Sequence, residues 1–172
     1  MLKFILISMM FLICTFIGFY YGEKYRQRSS NLKEVQKSIM LLNSEILYAN
    51  TPLPEALSDI SEKVTDPISK ILFKTSQNLE SGEVISVHEA FTKAYELYKN
   101  EVSFSNDDYK IISDFFKTLG ECGVIGQERV FKLALESLNM SYIDANNEAK
   151  TNIKMYRALG LSIGAMISIF FI

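Results

Sequence analysis

Two stretches without a charged side chain lie at opposite ends of the sequence, residues 4–22 and residues 158–172, and they constrain everything between them. As a helix, the first is about long enough to cross a bilayer core, which takes roughly 20 residues at about 1.5 Å each. Its length favours a retained anchor over a removable signal peptide, as do bulky Phe19, Tyr20 and Tyr21 where a cleavage site would need small residues. Leu12 and Ile13 ahead of Cys14 argue in the same way against lipoprotein processing. The second stretch covers only roughly 22 Å as a helix, so it spans with help from its flanks, from bilayer thinning or from packing on the first. Gly160 and Gly164 supply a small-xxx-small face for that packing, and Gly18 marks the matching face of the first helix.

Basic residues set the expected orientation. Lys24, Arg26, Arg28, Lys33 and Lys37 follow the first stretch, and Lys150, Lys154 and Arg157 precede the second. Both clusters belong to the intervening segment, which places that segment in the cytoplasm and both termini across the membrane. The expected organisation is an N-terminal transmembrane anchor at 1–23, a cytoplasmic helical bundle at 24–157 and a C-terminal transmembrane segment at 158–172.

The formal net charge of −2 conceals a segregation. Residues 38–149 hold 18 acidic and 9 basic side chains, whereas the rest of the chain holds 2 acidic and 9 basic. Basic ends suit anionic lipid headgroups. An acidic middle suits a protein partner with a basic surface and excludes nucleic acid, which requires a positive face.

Apolar spacing in the middle is helical throughout. Leu32, Val35, Ile39, Leu42, Ile46 and Ala49 alternate steps of three and four, which predicts one helix continuing from the anchor. A turn follows at Thr51, Pro52, Leu53 and Pro54, then a helix with Leu57, Ile60 and Val64 on its face. Asp66 and Pro67 read as N-cap and first position of a helix carrying Ile68, Leu72 and Leu79 and ending before Gly82. Ser86 and Glu89 form a capping box for a helix whose core face is Ala90, Phe91, Ala94, Leu97 and Tyr98. Ser105 and Asp108 open another, with Ile112, Phe115 and Leu119. After a Gly120–Gly126 loop, a last helix runs from about Gln127 through Leu135, Leu138, Ala145 and Ala149 to Arg157. The fold class is all-α: an antiparallel bundle of about six helices flanked by the N- and C-terminal transmembrane helices. The first helix leaves the membrane and the last returns to it, which places the turn around Thr51 and the Gly120–Gly126 loop at the membrane-distal end.

The residues offer little chemistry. His88 has no second histidine at ligand spacing. Cys14 and Cys122 fall on opposite sides of the membrane boundary and read as free thiols. Asp107 and Asp108 sit at a helix start, where carboxylates are favoured by unpaired N–H groups. There is no GxxxxGK[ST], and the glycines from Gly120 to Gly126 are neither preceded by a strand nor followed by a lysine, so nucleotide hydrolysis by a P-loop is excluded. No catalytic, metal or cofactor-binding residue and no cofactor are expected. A membrane enzyme assembled from Glu45, Tyr48 and His88 is the competing reading.

Residues 45–57 read E-I-L-Y-A-N-T-P-L-P-E-A-L, and this segment resembles the stage III sporulation protein AB family. The resemblance extends along the chain: an anchor ending Gly18-Phe19-Tyr20-Tyr21 with a basic flank, Leu119-Gly120 followed by Gln127, and Met155, Tyr156, Arg157, Leu159 and Gly160 leading into the terminal apolar run. Glu121, Cys122 and Gly123 depart from the Ser-Asp pair often found in the family after Leu119-Gly120. The resemblance implies a domain similar to the cytoplasmic domains of type II secretion F proteins, and a non-enzymatic platform in the mother-cell membrane around the forespore. The implied partners are the cytosolic ATPase stage III sporulation protein AA, other stage III sporulation membrane proteins, the bilayer and further copies of the chain. A general type II secretion or type IV pilus platform is the alternative, although such proteins usually duplicate the helical domain and no repeat occurs here. Partner contacts are expected at Glu45, Glu55, Glu121 and Glu128. In the turn motif Tyr48, Thr51, Pro52, Leu53 and Pro54, the prolines stiffen the chain, Leu53 and Leu57 bury, and the Tyr48 hydroxyl packs toward the turn.

Overall fold

Every regular element among the described residues is a helix: α1 (Leu2–Ser44), a π-helical turn (Glu45–Ala49), α2 (Leu53–Ser61), α3 (Ile68–Glu80), α4 (Val87–Tyr98), α5 (Asn106–Glu121) and α6 (Val124–Phe171). The structure, a computed structural model, describes residues 2–82, 84–121 and 124–171. Side chains of residues 2–8, 14, 121, 124, 125, 168, 170 and 171 lie outside the description. The chain divides into two compact units, Met1–Ser29 with Asp144–Ile172, and Ser30–Ile143. Helices α1 and α6 contribute to both.

In the Ser30–Ile143 unit the short helices pack on their chain neighbours, α2 on α3, α3 on α4 and α4 on α5. Leu32, Val35, Ile39 and Leu42 of α1 are buried, with Leu57 and Ile60 of α2, Ile68, Ile71 and Leu72 of α3, Phe91 of α4, Ile112 and Phe115 of α5, and Phe131 and Leu138 of α6. Phe115 meets Phe131 edge-on at 5.3 Å, and Phe91 stacks on Phe116 at 4.3 Å. Such offset aromatic pairs add to what burial alone supplies. Polar side chains close the joints between helices: Ser76 donates to the Pro54 carbonyl at 2.7 Å, and Asn78 donates to the Ala90 carbonyl at 3.1 Å.

Two helices begin on reciprocal side-chain caps. The Glu89 N–H donates to Ser86 Oγ at 3.1 Å, while the Glu89 carboxylate accepts from the Ile85 N–H at 3.1 Å. That N–H, followed by the Lys93 ammonium, holds the Glu89 carboxyl below its ordinary pKa. At the start of α5, the Asp108 N–H donates to Ser105 Oγ and the Asp108 carboxylate accepts from the Ser105 N–H at 2.9 Å. This accounts for a carboxylate only 1% exposed. Gly82 follows the end of α3 at φ 68°, a left-handed conformation open to glycine without strain.

Several expectations change. Ile46 is half-buried and Ala49 exposed, because the π turn takes more residues per revolution and rotates them off the face that Leu42 occupies. Leu97, expected in the core, is 64% exposed near the end of α4. Helix α3 starts at Ile68 with Pro67 in the cap position, and Asp66 pairs instead with Lys70 at 3.3 Å. The Gly120–Gly126 loop contracts: α5 continues through Gly120 to Glu121 and α6 has begun by Val124, while Cys122 and Gly123 lie outside the described residues.

The transmembrane segments expected at residues 1–23 and 158–172 are not shown. Among the described residues, no helix is long and apolar enough to cross a membrane. Weakly apolar Thr15, Gly18, Tyr20 and Tyr21 lower the mean hydropathy of the first run. The second run was already short, with Gly160, Ser162 and Gly164 within it.

Candidate functional site

The T-P-L-P turn is built around one carboxylate. The π turn ends at Asn50 in a left-handed conformation, φ 54°, which asparagine tolerates better than most residues. The Glu45 carbonyl accepts from the Asn50 N–H and from the Thr51 N–H, the latter at 3.1 Å. Its carboxylate accepts from Thr51 Oγ1 at 3.1 Å and pairs with Lys63 at 3.5 Å. Pro52 then caps α2, and Pro54 falls in its first turn, where no N–H is needed.

This geometry separates residues that the sequence grouped together. Glu45 is spent on holding the turn. Leu53 is half-buried, and Leu57, one turn on, takes the core position at 1% exposure. Tyr48, expected to turn its hydroxyl inward, is 81% exposed. Glu55 is exposed on the first turn of α2. The turn therefore presents an aromatic ring and a carboxylate on a backbone fixed by prolines and by the Glu45 bonds.

Glu128 is exposed on α6, at the edge of a groove of about 420 Å³ lined by Asn43, Phe131, Lys132, Leu135, Glu136 and Asn139. Asn43 Oδ1 is buried there without a hydrogen-bond partner. The groove thus joins Glu128 to the part of α1 immediately before the Glu45 turn. The side chain of Glu121 lies outside the described residues. Asn43, Lys132 and Glu136 escaped the sequence reading, since helical spacing alone does not reveal which polar positions of α1 and α6 come together.

The residues suggested for catalysis do not converge. His88 Nε2 lies 2.8 Å from Ser113 Oγ, tying α4 to α5. Neither Glu45 nor Tyr48 takes part in that bond, and among the described residues no three His, Cys, Asp or Glu side chains could hold a metal ion.

The Met1–Ser29 and Asp144–Ile172 unit is a pair of helical segments in contact through glycine. A Cβ at Gly18 would stand 2.7 Å from the Tyr156 carbonyl oxygen and 3.2 Å from Gly160 Cα, so only glycine permits that approach. A Cβ at Gly164 would stand 2.8 Å from the Phe11 ring. Gly22, missed in the sequence although it completes a GxxxG with Gly18, faces Ile153. Large apolar side chains point outward instead, among them Leu12, Phe16, Leu161, Met166 and Ile169.

Comparison with known proteins agrees with this architecture. The family model described as stage III sporulation protein AB matches residues 3–172. Stage III sporulation protein AB of Bacillus subtilis (strain 168) is 28% identical over 153 residues, covering 89% of each chain. A solved structure of stage III sporulation protein AB (SpoIIIAB) is similar with a TM-score of 0.66 and 27% identity, over 72% of this chain and 96% of that one. With the match running almost from end to end and the helical architecture shared, the chain belongs to the stage III sporulation protein AB family.

Proposed function

We propose that this chain is a non-enzymatic membrane platform of a stage III sporulation assembly, held in the mother-cell membrane around the forespore, whose acidic bundle docks the cytosolic ATPase stage III sporulation protein AA. The observation that carries the membrane reading is the inside-out terminal unit. Glycines occupy the helix contact while large apolar side chains face outward, the reverse of packing in water and the arrangement expected when the surroundings are as apolar as the side chains. The full uncharged run from residue 4 to residue 22 has about the length a bilayer requires, and the basic clusters favour a cytoplasmic bundle.

Docking is supported by charge and by the form of the turn. The bundle segment carries twice as many acidic as basic side chains, 18 against 9, which suits a basic partner surface. Tyr48 and Glu55 stand out from a fixed turn, so little ordering entropy is lost when a partner covers them. Glu128 adds a carboxylate beside the groove at Asn43.

The test uses the full chain in vesicles with the purified ATPase. Binding is expected, weakening with salt and weakening about tenfold in Glu55→Lys with Glu128→Lys, because exposed charge pairs are screened and reversal adds repulsion. Salt-insensitive binding that the folded double variant retains would move the docking face elsewhere. Turnover of a substrate by the chain alone would replace the platform with an enzyme.

A further inference from the structure

In the terminal unit, the Tyr156 ring stacks against both Tyr21 and Tyr25, with centroids 5.9 Å away in each case. Tyr20 meets Tyr21 edge-on at 6.0 Å, and the Arg157 guanidinium lies 4.7 Å from the centroid of Phe19. Rings with an apolar body and a polar tip gather where hydrocarbon meets water.

The same two short segments, residues 19–27 and 150–157, carry exposed Lys24, Arg26, Lys150, Lys154 and Arg157 against a single acid, Glu23. Arg26 reaches Glu23 only at 3.7 Å, and both side chains are largely in solvent. Lys24, Lys150 and Lys154 have no ion-pair partner among the described residues. Arg28, immediately beyond, is already committed to Glu148 at 2.7 Å. Three exposed lysines without an ion pair thus stand with Arg26 and Arg157 in the aromatic band, next to apolar runs in which no charged residue occurs from residue 4 to residue 22 or from residue 158 onward.

We propose that this band is a binding surface for anionic phospholipid headgroups, with the tyrosines setting its depth and the lysines and arginines selecting the headgroup. The inference rests on the membrane reading above and adds the chemistry of the lipid. A free anion would satisfy the cations but leave the adjoining apolar side chains in water. An anionic lipid supplies both the negative charge and the apolar phase, in the order in which the two occur along the helices.

The experiment uses the full chain. Flotation with phosphatidylcholine and with phosphatidylglycerol vesicles first asks whether the chain enters a bilayer. In neutral detergent, native mass spectrometry then measures retention of each lipid, with inorganic phosphate as competitor. Each basic residue near an anionic surface contributes about fivefold in affinity. The variant Lys24→Gln with Lys150→Gln and Lys154→Gln should therefore lose phosphatidylglycerol affinity on the order of a hundredfold and keep its phosphatidylcholine affinity. Lys→Arg at the same three positions should retain the preference, which separates charge from folding. Equal retention of both lipids by a chain that floats with both, or an unchanged preference in the glutamine variant, would overturn the proposal and leave the membrane reading intact. Displacement of the lipid by phosphate would assign a free-anion site instead. Failure to float with either vesicle would overturn both readings.

Discussion

At the scale of single residues, Glu45 has the clearest consequence. Its carboxylate bonds Thr51 and Lys63 while its carbonyl takes two backbone N–H groups, so one residue closes the turn from both sides. Glu45→Ala should lower stability by about 1.5–3 kcal/mol, the range for losing hydrogen bonds to a charged group, and hydrogen exchange should accelerate at Asn50 and Thr51. The same logic ranks the two leucines. Leu57→Ala should cost about 2–5 kcal/mol and Leu53→Ala less, because only Leu57 is fully enclosed. Denaturant unfolding of the pair checks the order, and equal losses would place Leu53 in the core. Tyr48→Ala should leave stability within about 0.5 kcal/mol of the parent, since the side chain is exposed, while weakening ATPase binding.

At the scale of elements, the caps offer a test by pH. The Glu89 carboxyl is held below its ordinary value, so its contribution is complete above the unfolded pKa of about 4.3 and is lost as pH falls through the lower, folded value. Thermal melts of the parent and Glu89→Gln should differ by a constant amount from pH 7 to about pH 5.5 and converge only as pH falls through the lowered folded value. Those caps were legible in the sequence because they depend on residues three apart: Ser86 with Glu89, and Ser105 with Asp108. The core face of α1 was legible as far as Leu42 for the same reason. Beyond it, the π turn shifts the helical phase without a composition that announces it, which is why Ile46 and Ala49 left the expected face. Leu97 fits the α4 periodicity yet lies near the helix end, where no neighbour covers it. Glycines at 120 and 126 suggested a loop, but each is tolerated inside a helix at roughly 1 kcal/mol relative to alanine, less than packing supplies. Of the candidate docking surface, the motif and its acids could be read directly. The diversion of Glu45 into the turn and the juxtaposition of Asn43 with Glu128 required three dimensions.

At the scale of the whole molecule, charge and apolar surface are sorted along the chain, and orientation is the property that tests the sorting. A cysteine introduced at exposed Asn100, in a background lacking Cys14 and Cys122, should resist an impermeant thiol reagent applied outside intact cells, whereas one appended after Ile172 should react. The reverse pattern would invert the platform. The glycine contact between α1 and α6 carries a further implication, for the order of synthesis. Gly18 emerges from the ribosome more than a hundred residues before Gly160. At about 5–20 residues per second, its partner surface does not exist for on the order of ten seconds. On the membrane reading proposed above, the first helix resides in the bilayer alone during that interval, with its glycine face uncovered and open to any other small-faced helix in the membrane. The intervening segment delays closure of the hairpin, leaving a window in which a co-assembling membrane protein has its best opportunity to pair with α1.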